Sequence, residues 1–152
     1  MRVEDIMARN VVTCTPDANL ESIAQLMFDN DCGIVPIIDK NKKPVSIITD
    51  RDISIAAATQ HRLLSDMSVF DAKKDGEIIS CEARDTVSDA LESMKKAHVR
   101  RLPVVDMNGG LIGLLSIGDV IASVPRGGGG QESDEVPFDD IVVALKSIYV
   151  HH

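Results

Sequence analysis

The sequence predicts an α+β fold built from two similar units, because the chain repeats itself without a gap. The segment Pro-Ile-Ile-Asp at 36–39 recurs 67 positions later as Pro-Val-Val-Asp at 103–106. The same offset aligns strand-forming runs, helical apolar stripes and acidic segments in both copies. A repeated unit of this size has an apolar face that it cannot bury alone, so the copies are expected to pack as a pseudo-symmetric pair.

Each copy begins with strand-forming residues and continues with a helix. The runs Asn-Val-Val-Thr-Cys at 10–14 and Glu-Ile-Ile-Ser-Cys at 77–81 predict the first strand of each copy. Apolar residues then recur at helical spacing in 20–27 and in 87–94. These stripes predict one amphipathic helix per copy.

Local signals place the helix starts and the turns. Asn19 and Thr86 are the expected N-caps, and Thr86 with Asp89 matches a capping box. Asn108-Gly109 is a hairpin signal, because both residues tolerate positive φ. Paired strands are expected at 34–38 and 45–48 in the first copy and at 102–105 and 111–115 in the second.

A second helix should start at the acidic segment that ends each copy, at 49–52 and at 116–119. The predicted order is therefore strand, helix, strand, strand, helix, twice. The expected division is 1–60 for the first unit, 61–76 for a polar connector, 77–125 for the second unit, 126–137 for a glycine-rich acidic linker, and 138–152 for a C-terminal amphipathic helix.

The C-terminal region lies outside the repeat. Four glycines at 127–130 precede an acidic stretch, a composition typical of flexible linkers. An apolar stripe at helical spacing follows, formed by Phe138, Ile141, Val142, Leu145, Ile148 and Tyr149. The stripe should dock on its own module or on a partner subunit, and the pattern leaves both open.

Composition excludes several classes of protein. The net charge of −8 opposes nonspecific binding to nucleic acid. No apolar run approaches the roughly 20 residues of a membrane span, and the N-terminus lacks the apolar stretch of a signal peptide, so a cytoplasmic location is expected. The three cysteines lack metal-type spacing, and Cys14 and Cys81 are interpreted as small buried hydrophobic residues.

No pattern indicates catalysis. Neither His61 nor His98 lies in a metal-binding or nucleophile-supporting pattern. Asp50 and Asp52 flank Arg51 in the expected first turn of a helix, where acidic residues act as caps. No phosphate-binding glycine loop is present, because no lysine and helix start follow the glycines. We therefore expect a non-enzyme with no catalytic residues, no metal site and no required cofactor.

Taken together, the motifs resemble a tandem CBS domain pair, also called a Bateman module. The resemblance covers about residues 1–124 and rests on Asp-Ile-Met at 5–7, the two proline segments, Ile-Thr-Asp-Arg-Asp at 48–52 and Leu-Ser-Ile-Gly-Asp at 115–119. It implies two CBS units packed through their sheets, leaving two clefts that can each hold an adenosine derivative. It also implies a homodimer.

The resemblance marks a hydroxyl and a carboxylate in each cleft. These are Thr49 with Asp52, and Ser116 with Asp119. A carboxylate can accept hydrogen bonds from ribose hydroxyls, and a helix N-terminus favours phosphate. Both pairs also match plain capping boxes, so the pattern leaves a structural interpretation open.

The copies differ next to these pairs. Arg100 and Arg101 enter a predicted strand, where they would serve as an anion clamp or as a solvated strand edge. The first copy has Gly33 and Ile34 at these positions, so its phosphate contact would depend on Arg51. Ser46 replaces Gly113, which would crowd a base near the backbone. The predicted stronger site contains Ser116, Asp119, Arg100 and Arg101, completed by strand residues near Thr13 and Gly33 of the other copy.

The resulting hypothesis is a regulatory sensor module that binds an adenosine-containing ligand, with AMP, ADP or ATP favoured. Ligand occupancy would change contacts within a dimer or with an unidentified protein partner. Two alternatives stay open: a ligand-free dimerisation or scaffolding module, and a module that binds S-adenosylmethionine or a dinucleotide.

Overall fold

The structure is a computed structural model that describes residues 1–73, 77–124 and 136–150. Its α-helices are α1 (Val3–Ile6), α2 (Leu20–Asp29), α3 (Asp50–Gln60), α4 (Val69–Ala72), α5 (Val87–Ala97), α6 (Ile117–Ser123) and α7 (Phe138–Tyr149), with one 3₁₀ turn at Leu64–Asp66. Its strands are β1 (Ile34–Ile38), β2 (Pro44–Thr49), β3 (Cys81–Glu82), β4 (Arg101–Val105) and β5 (Leu111–Ser116). The α+β fold with two similar units is confirmed. Positions 126–135 of the predicted linker lie outside the described residues.

The chain forms two compact units. Unit 1 comprises Met1–Arg9, Ile79–Asn108 and Ile112–His152, and unit 2 comprises Asn10–Ile78 and Gly109–Leu111. Their composition differs from the sequence division, since the first nine residues pack with the second copy of the repeat, whereas the predicted connector and Gly109–Leu111 pack with the first. The prediction of repeat boundaries at 1–60 and 77–125 did not include this exchange.

The exchange is reciprocal, because the predicted connector supplies the same kind of segment to the first copy. In unit 1, Arg2 bridges to Thr86, and in unit 2 Ser68 bridges to Asn19. Apolar side chains anchor both segments: Val3 of α1 and Val69 of α4 are fully buried in the cores of unit 1 and unit 2. Each unit is thus completed by a short helix that precedes the other copy in the chain.

The sheets are small. Unit 2 holds the antiparallel pair β1–β2, and the other sheet has the order β3–β4–β5, with β3 parallel to β4. The first strands are shorter than the predicted runs 10–14 and 77–81. Only Cys14 remains of the first run, as an isolated parallel bridge to Ile37, and β3 has two residues.

The proline of each repeated Pro-x-x-Asp segment explains this shortening. Cys14 N–H donates to Pro36 O (3.1 Å), and Ile38 N–H donates to Cys14 O (2.8 Å). Extending this parallel ladder upstream needs an N–H from residue 36, which proline lacks. Pro103 has the same effect in the second copy. Downstream, Pro16 stops the first ladder as well, whereas Ala83 stands at the equivalent position of the second copy and the ladder continues to Glu82.

The predicted caps and turn are present with two differences. Asn19 accepts a hydrogen bond from Ser22 N–H (2.8 Å), and Thr86 accepts one from Asp89 N–H (3.1 Å). Thr86 and Asp89 form only half of the predicted capping box, because among the described residues no bond runs from Thr86 N–H to Asp89. In the turn between β4 and β5 only Gly109 has positive φ, at +80°.

Each unit has its own hydrophobic core. The predicted stripes are buried in both helices, α2 in unit 2 and α5 in unit 1. The core of unit 2 is formed by Leu20, Ile23, Met27, Val35, Ile37, Ile48, Ile53, Ala56, Met67 and Val69. The core of unit 1 is formed by Val3, Met7, Cys81, Val87, Ala90, Leu91, Met94, Leu102, Val104, Leu115, Ile117, Val120, Ile141, Ala144 and Ile148.

Helix α7 docks on its own unit, against α5. Ile141, Ala144 and Ile148 are at most 2% exposed and belong to the core of unit 1. The buried face of α7 differs from the predicted stripe at two positions. Phe138 was expected on this face but is 68% exposed, and the small Ala144, which was not expected there, is buried. The spacing i, i+3, i+7 places the three buried side chains on one face of the helix.

None of the helices in the described part of the chain is both long enough and apolar enough to cross a membrane.

Candidate functional site

The predicted ligand pair Ser116 and Asp119 forms the N-terminal cap of α6. Asp119 Oδ2 accepts hydrogen bonds from Ser116 N–H (2.8 Å) and from Ser116 Oγ–H (2.6 Å). In return, Ser116 Oγ accepts from Asp119 N–H (3.2 Å). The pair is therefore a complete capping box, and one carboxylate oxygen is committed to the helix.

Thr49 and Asp52 form the equivalent box at the start of α3. Asp52 Oδ2 accepts from Thr49 N–H (2.9 Å) and from Thr49 Oγ1–H (2.8 Å). A third box of this kind starts α4, where Asp71 Oδ2 accepts from Ser68 N–H (2.7 Å). No ligand residue is predicted on α4. The spacing of hydroxyl and carboxylate therefore indicates helix capping and is not by itself evidence of a ligand site.

The second oxygen of each capping carboxylate, Oδ1, takes no part in the capping box. Within residues 1–73, 77–124 and 136–150, no hydrogen bond is recorded to Oδ1 of Asp119 or to Oδ1 of Asp52. Both aspartates are only half-buried. Each carboxylate can therefore cap its helix through Oδ2 and accept a further hydrogen bond through Oδ1.

The backbone N–H groups at these helix starts are largely occupied. Ile117 N–H donates to Arg100 O (3.0 Å), and in unit 2 Asp50 N–H donates to Gly33 O (3.1 Å). The N–H groups of the capping aspartates are bound to the hydroxyls. Few backbone N–H groups therefore remain to bind a phosphate at these helix starts. The helix dipole of α6 is also small, because the helix has only seven residues. A phosphate here needs side-chain cations.

Arg100 lies directly before β4, and its guanidinium packs on an aromatic ring of α7. Its Cζ atom lies 4.4 Å from the ring centroid of Tyr149. In the described part of the chain, no hydrogen bond or ion pair of the Arg100 side chain is found. Sequence reasoning missed this contact because Arg100 and Tyr149 are 49 positions apart and Tyr149 was interpreted only as part of the apolar stripe.

Arg101 is the first residue of β4 and is exposed. Arg51, in the first turn of α3, is exposed as well. Thr13 directly precedes the bridge residue Cys14 and is half-buried. Unit 1 thus contains Ser116, Asp119, Arg100 and Arg101, and unit 2 contains Thr49, Asp52, Arg51, Thr13 and Gly33. The completion of one site by residues of both copies stays a prediction.

Gly33 lies beside the acidic start of α3. A Cβ atom at Gly33 would lie 2.9 Å from Asp50 Oδ2, so a larger residue would displace that carboxylate. A cavity of about 330 Å³ opens at this position and is lined by Met27, Phe28, Asp31, Cys32, Gly33 and Asp50.

Gly113 is required by the chain itself. A Cβ atom there would lie 2.7 Å from Met7 Sδ and 2.9 Å from Ala8 O. Ala8 N–H donates to Leu114 O (2.9 Å), which ties the segment after α1 to β5. In unit 2 the carbonyl of Ile47, at the position equivalent to Leu114, accepts a hydrogen bond from the ammonium of Lys73 (2.6 Å). Packing therefore explains the glycine at 113, and the expected effect of Ser46 on a base in the first copy stays a prediction.

All three cysteines are free thiols, and the Cys81 thiol donates a hydrogen bond to Pro103 O (3.9 Å). Cys81 is buried, which raises the pKa of its thiol to about 12, with the nearby Asp85 carboxylate adding to the shift. Burial also raises the pKa of the Cys14 thiol, and Asp17 adds to that shift. Among the residues that the structure describes, no three His, Cys, Asp or Glu side chains are grouped so that they could hold a metal ion.

The CBS domain family model matches residues 3–58 and 69–126, so the chain belongs to the CBS domain family. Two matches in one chain make it a CBS domain pair, a module of regulatory type. The two matched ranges begin at α1 and α4, the helices that exchange between the units.

Curated relatives include both small proteins and enzymes. The chain is 29% identical over 118 residues to the CBS domain-containing protein YhcV of Bacillus subtilis, covering 78% of this chain and 81% of YhcV. It is 31% identical over 123 residues to an uncharacterised protein of Methanopyrus kandleri, covering 81% of this chain and 62% of that protein. A homoserine O-acetyltransferase of Methanosphaera stadtmanae is 30% identical over 115 residues, which is 76% of this chain and 22% of the enzyme.

Solved structures share the fold. Hypoxic Response Protein I, solved with two coordinated zinc ions, has a TM-score of 0.73 at 25% identity and covers 82% of this chain and 100% of its own. The CBS-domain protein ATU1752 of Agrobacterium tumefaciens has a TM-score of 0.70 at 30% identity, with 81% and 98% covered. The CBS domain pair of protein MJ0100, in complex with 5-methylthioadenosine and S-adenosyl-L-methionine, has a TM-score of 0.68 at 22% identity, with 80% and 94% covered.

Proposed function

We propose that this CBS domain pair binds an adenosine-containing ligand, with AMP, ADP or ATP favoured, and that binding changes its contacts with a second copy or another protein. The observation that carries the proposal is the divided use of the Asp119 carboxylate. Oδ2 caps α6, while Oδ1 has no hydrogen bond to any described residue. A ribose hydroxyl donating to Oδ1 would form a charge-assisted hydrogen bond without disturbing the helix.

The arginines favour a phosphorylated ligand. The carbonyl of Arg100 binds the first N–H of α6, so the backbone of Arg100 adjoins the capping box of Ser116 and Asp119. Arg101 follows as an exposed cation at the start of β4. Guanidinium groups match phosphate oxygens in bidentate geometry. In this proposal Ser116 and Asp119 contact the ribose, and Arg100 and Arg101 contact the phosphate.

The equivalent positions of the first copy support a weaker site. Thr49 and Asp52 repeat the geometry of the capping box, but Gly33 and Ile34 replace the two arginines. Only Arg51 offers a cation close to this box in sequence. We therefore assign the first site a lower affinity for nucleotides with several phosphates.

S-adenosylmethionine is the second candidate ligand. The MJ0100 pair, which has a similar fold, was solved with this compound and with 5-methylthioadenosine. Both ligands contain a ribose that a carboxylate such as Asp119 could bind. Both lack phosphate: S-adenosylmethionine would offer Arg100 and Arg101 only its carboxylate, and 5-methylthioadenosine would offer them no anion.

A calorimetric panel of AMP, ADP, ATP, NADH and S-adenosylmethionine, with adenosine as the phosphate-free reference, tests the proposal on the full chain. We expect saturable binding of at least one adenine nucleotide, with adenosine binding more weakly because it lacks the phosphate contact. Binding of S-adenosylmethionine alone would favour the second candidate. No binding by any compound would contradict the proposal and favour a ligand-free scaffolding module.

A regulatory role also requires that the ligand prefer one arrangement of the protein, since equal affinity for two arrangements shifts neither. Measuring the mass of the protein in solution with and without the bound nucleotide tests this step. We expect the ligand to change the fraction of dimer or its hydrodynamic size. Binding without either change would limit the proposal to ligand storage or to an effect on another protein.

A further inference from the structure

We propose that Tyr149 is a positioning residue for Arg100, so that the docking of α7 and the binding of a phosphate-containing ligand are coupled. This inference rests on the proposed function, in which Arg100 contacts the phosphate. It adds a role for the C-terminal helix, which lies outside the repeat and beyond both matched family ranges.

Packing fixes the location of the Tyr149 ring. Ile141, Ala144 and Ile148 hold α7 in the core of unit 1, and Tyr149 follows Ile148 directly. The ring is 47% exposed, so it is not itself part of that core. Its contact with the guanidinium of Arg100, at 4.4 Å from the ring centroid, is within the range of a cation–π interaction.

The ring restricts a side chain that would otherwise have many conformations. The backbone of Arg100 is held by the bond from Ile117 N–H, but its guanidinium has no hydrogen-bond or ion-pair partner among the described residues. An arginine loses much rotamer freedom when it becomes ordered on an anion. Because Tyr149 already orders this guanidinium, less freedom remains to be lost when phosphate binds.

The ring and a phosphate can contact Arg100 at the same time. Cation–π stacking uses the face of the planar guanidinium, whereas its N–H groups point outward from the edge. Stacking therefore leaves donors for phosphate oxygens. The coupling is positive, and by thermodynamic linkage a bound phosphate strengthens the contact between α7 and Arg100 by the same factor.

The distribution of these features along the chain supports the coupling. The first copy has Gly33 at the position of Arg100. Helix α7 follows the second copy alone and packs on unit 1, the unit that carries the arginine. Helix α7 thus packs on the unit that contains Arg100, the guanidinium that it would position.

The chain provides its own reporter for this contact, because Tyr149 is its only tyrosine and it has no tryptophan. Tyrosine fluorescence of the full chain should change saturably on titration with inorganic tripolyphosphate, which does not absorb at the excitation wavelength. The Arg100→Gln variant should lose that response. An unchanged signal in the wild-type chain would overturn the inference whether or not any nucleotide binds.

Calorimetry with ATP and adenosine gives an independent test. Tyr149→Leu, which keeps an apolar side chain without a ring, should weaken ATP binding about two- to fivefold, the effect of an exposed cation–π contact. Tyr149→Phe should keep the wild-type affinity, and adenosine should bind all variants alike. Val143→Ala is the matched control, since Val143 is also half-exposed on α7, and it should leave ATP binding unchanged.

The outcomes separate the two proposals. If the wild-type chain binds neither ATP nor adenosine, the proposed function fails, and the tripolyphosphate titration alone decides on Tyr149. If ATP binds but Tyr149→Leu matches the wild type, only the positioning role is wrong. Equal losses in Tyr149→Leu, Tyr149→Phe and Val143→Ala would also overturn it, because they would indicate a general effect on α7.

Discussion

At the scale of single residues, Asp119 shows how one side chain can satisfy both interpretations of its motif. The sequence pattern matched a capping box and a ligand pair equally well. The geometry confirms the cap, through Oδ2, and leaves Oδ1 without a bond to described residues. A structural role for the pair therefore does not compete with the proposed ligand role.

Asp119→Asn should weaken binding of the adenine nucleotide by about 1.5–3 kcal/mol, because an amide that keeps its oxygen on the helix cap presents an NH2 group in place of Oδ1, and this group cannot accept the hydrogen bond of the ribose hydroxyl. The amide oxygen can still accept from Ser116 N–H, so the helix start is retained. Asp89→Asn, at the start of α5, is the matched control and should leave affinity unchanged. Calorimetry measures both. Unchanged affinity in a folded Asp119→Asn protein would refute the ribose contact.

Cys81 should make the protein less stable at alkaline pH. Burial raises the pKa of its thiol to about 12, from an ordinary value of 9.0 that applies to the unfolded chain. Below pH 9 the thiol is protonated in both states and its contribution to stability is complete. As pH rises from about 9 towards 12, the unfolded state loses its proton first, so the free energy of unfolding falls.

Urea unfolding at pH 8 and pH 10 tests this expectation. The wild-type chain should lose more stability between these values than Cys81→Ala, since the other titrating groups are common to both proteins. The alanine variant should be less stable at pH 8 because of the lost packing. Parallel losses in the two proteins would show that the thiol does not titrate in this way.

At the scale of elements, the repeat predicted helices well and strand lengths poorly. The stripes of α2 and α5 are buried as expected, since a helix buries one face by its own periodicity. A strand needs hydrogen-bond donors and acceptors from a neighbouring strand. The residues at 10–14 do not indicate which strand that is or whether it can supply every donor. Pro36 removes the donor, which explains why Cys14 alone remains paired.

Alanine substitutions at two glycines, Gly113 of β5 and Gly118 of α6, should affect stability differently. Gly113→Ala should lower the free energy of unfolding by about 1–3 kcal/mol, because the new methyl group would overlap Met7 and the backbone of Ala8. Gly118→Ala is the matched control in the first turn of α6, where the residue is exposed and nothing lies closer than 3.4 Å to the new atom. Its stability should be unchanged or raised by up to about 1 kcal/mol.

Chemical denaturation of the two variants and the wild-type chain measures this difference. A stable Gly113→Ala protein would mean that the segment after α1 does not pack on β5 as described. Equal destabilisation by both substitutions would instead mean that the contacts of position 113 with Met7 and Ala8 are not the cause.

At the scale of the molecule, the family and the two-unit architecture could be predicted because both are recorded in the repeat. Two features could not. The first is the exchange of α1 and α4 between the units. The repeat offset is the same whether each helix packs against the copy that follows it in the chain or against the other copy. The contact between Arg100 and Tyr149 joins the repeat to a helix outside it, so no internal comparison could reveal it.

The exchange predicts that a mutation affects the copy that is remote in sequence. Val3 and Val69 are both fully buried, so Val3→Ala and Val69→Ala form a matched pair that should each cost about 1.5–3 kcal/mol. Because Val3 belongs to the core of unit 1, Val3→Ala should speed amide hydrogen exchange in α5 and β4 more than in α2. Val69→Ala should do the reverse, since Val69 belongs to the core of unit 2. Faster exchange in α2 on mutation of Val3 would mean that each leading segment packs with its own copy.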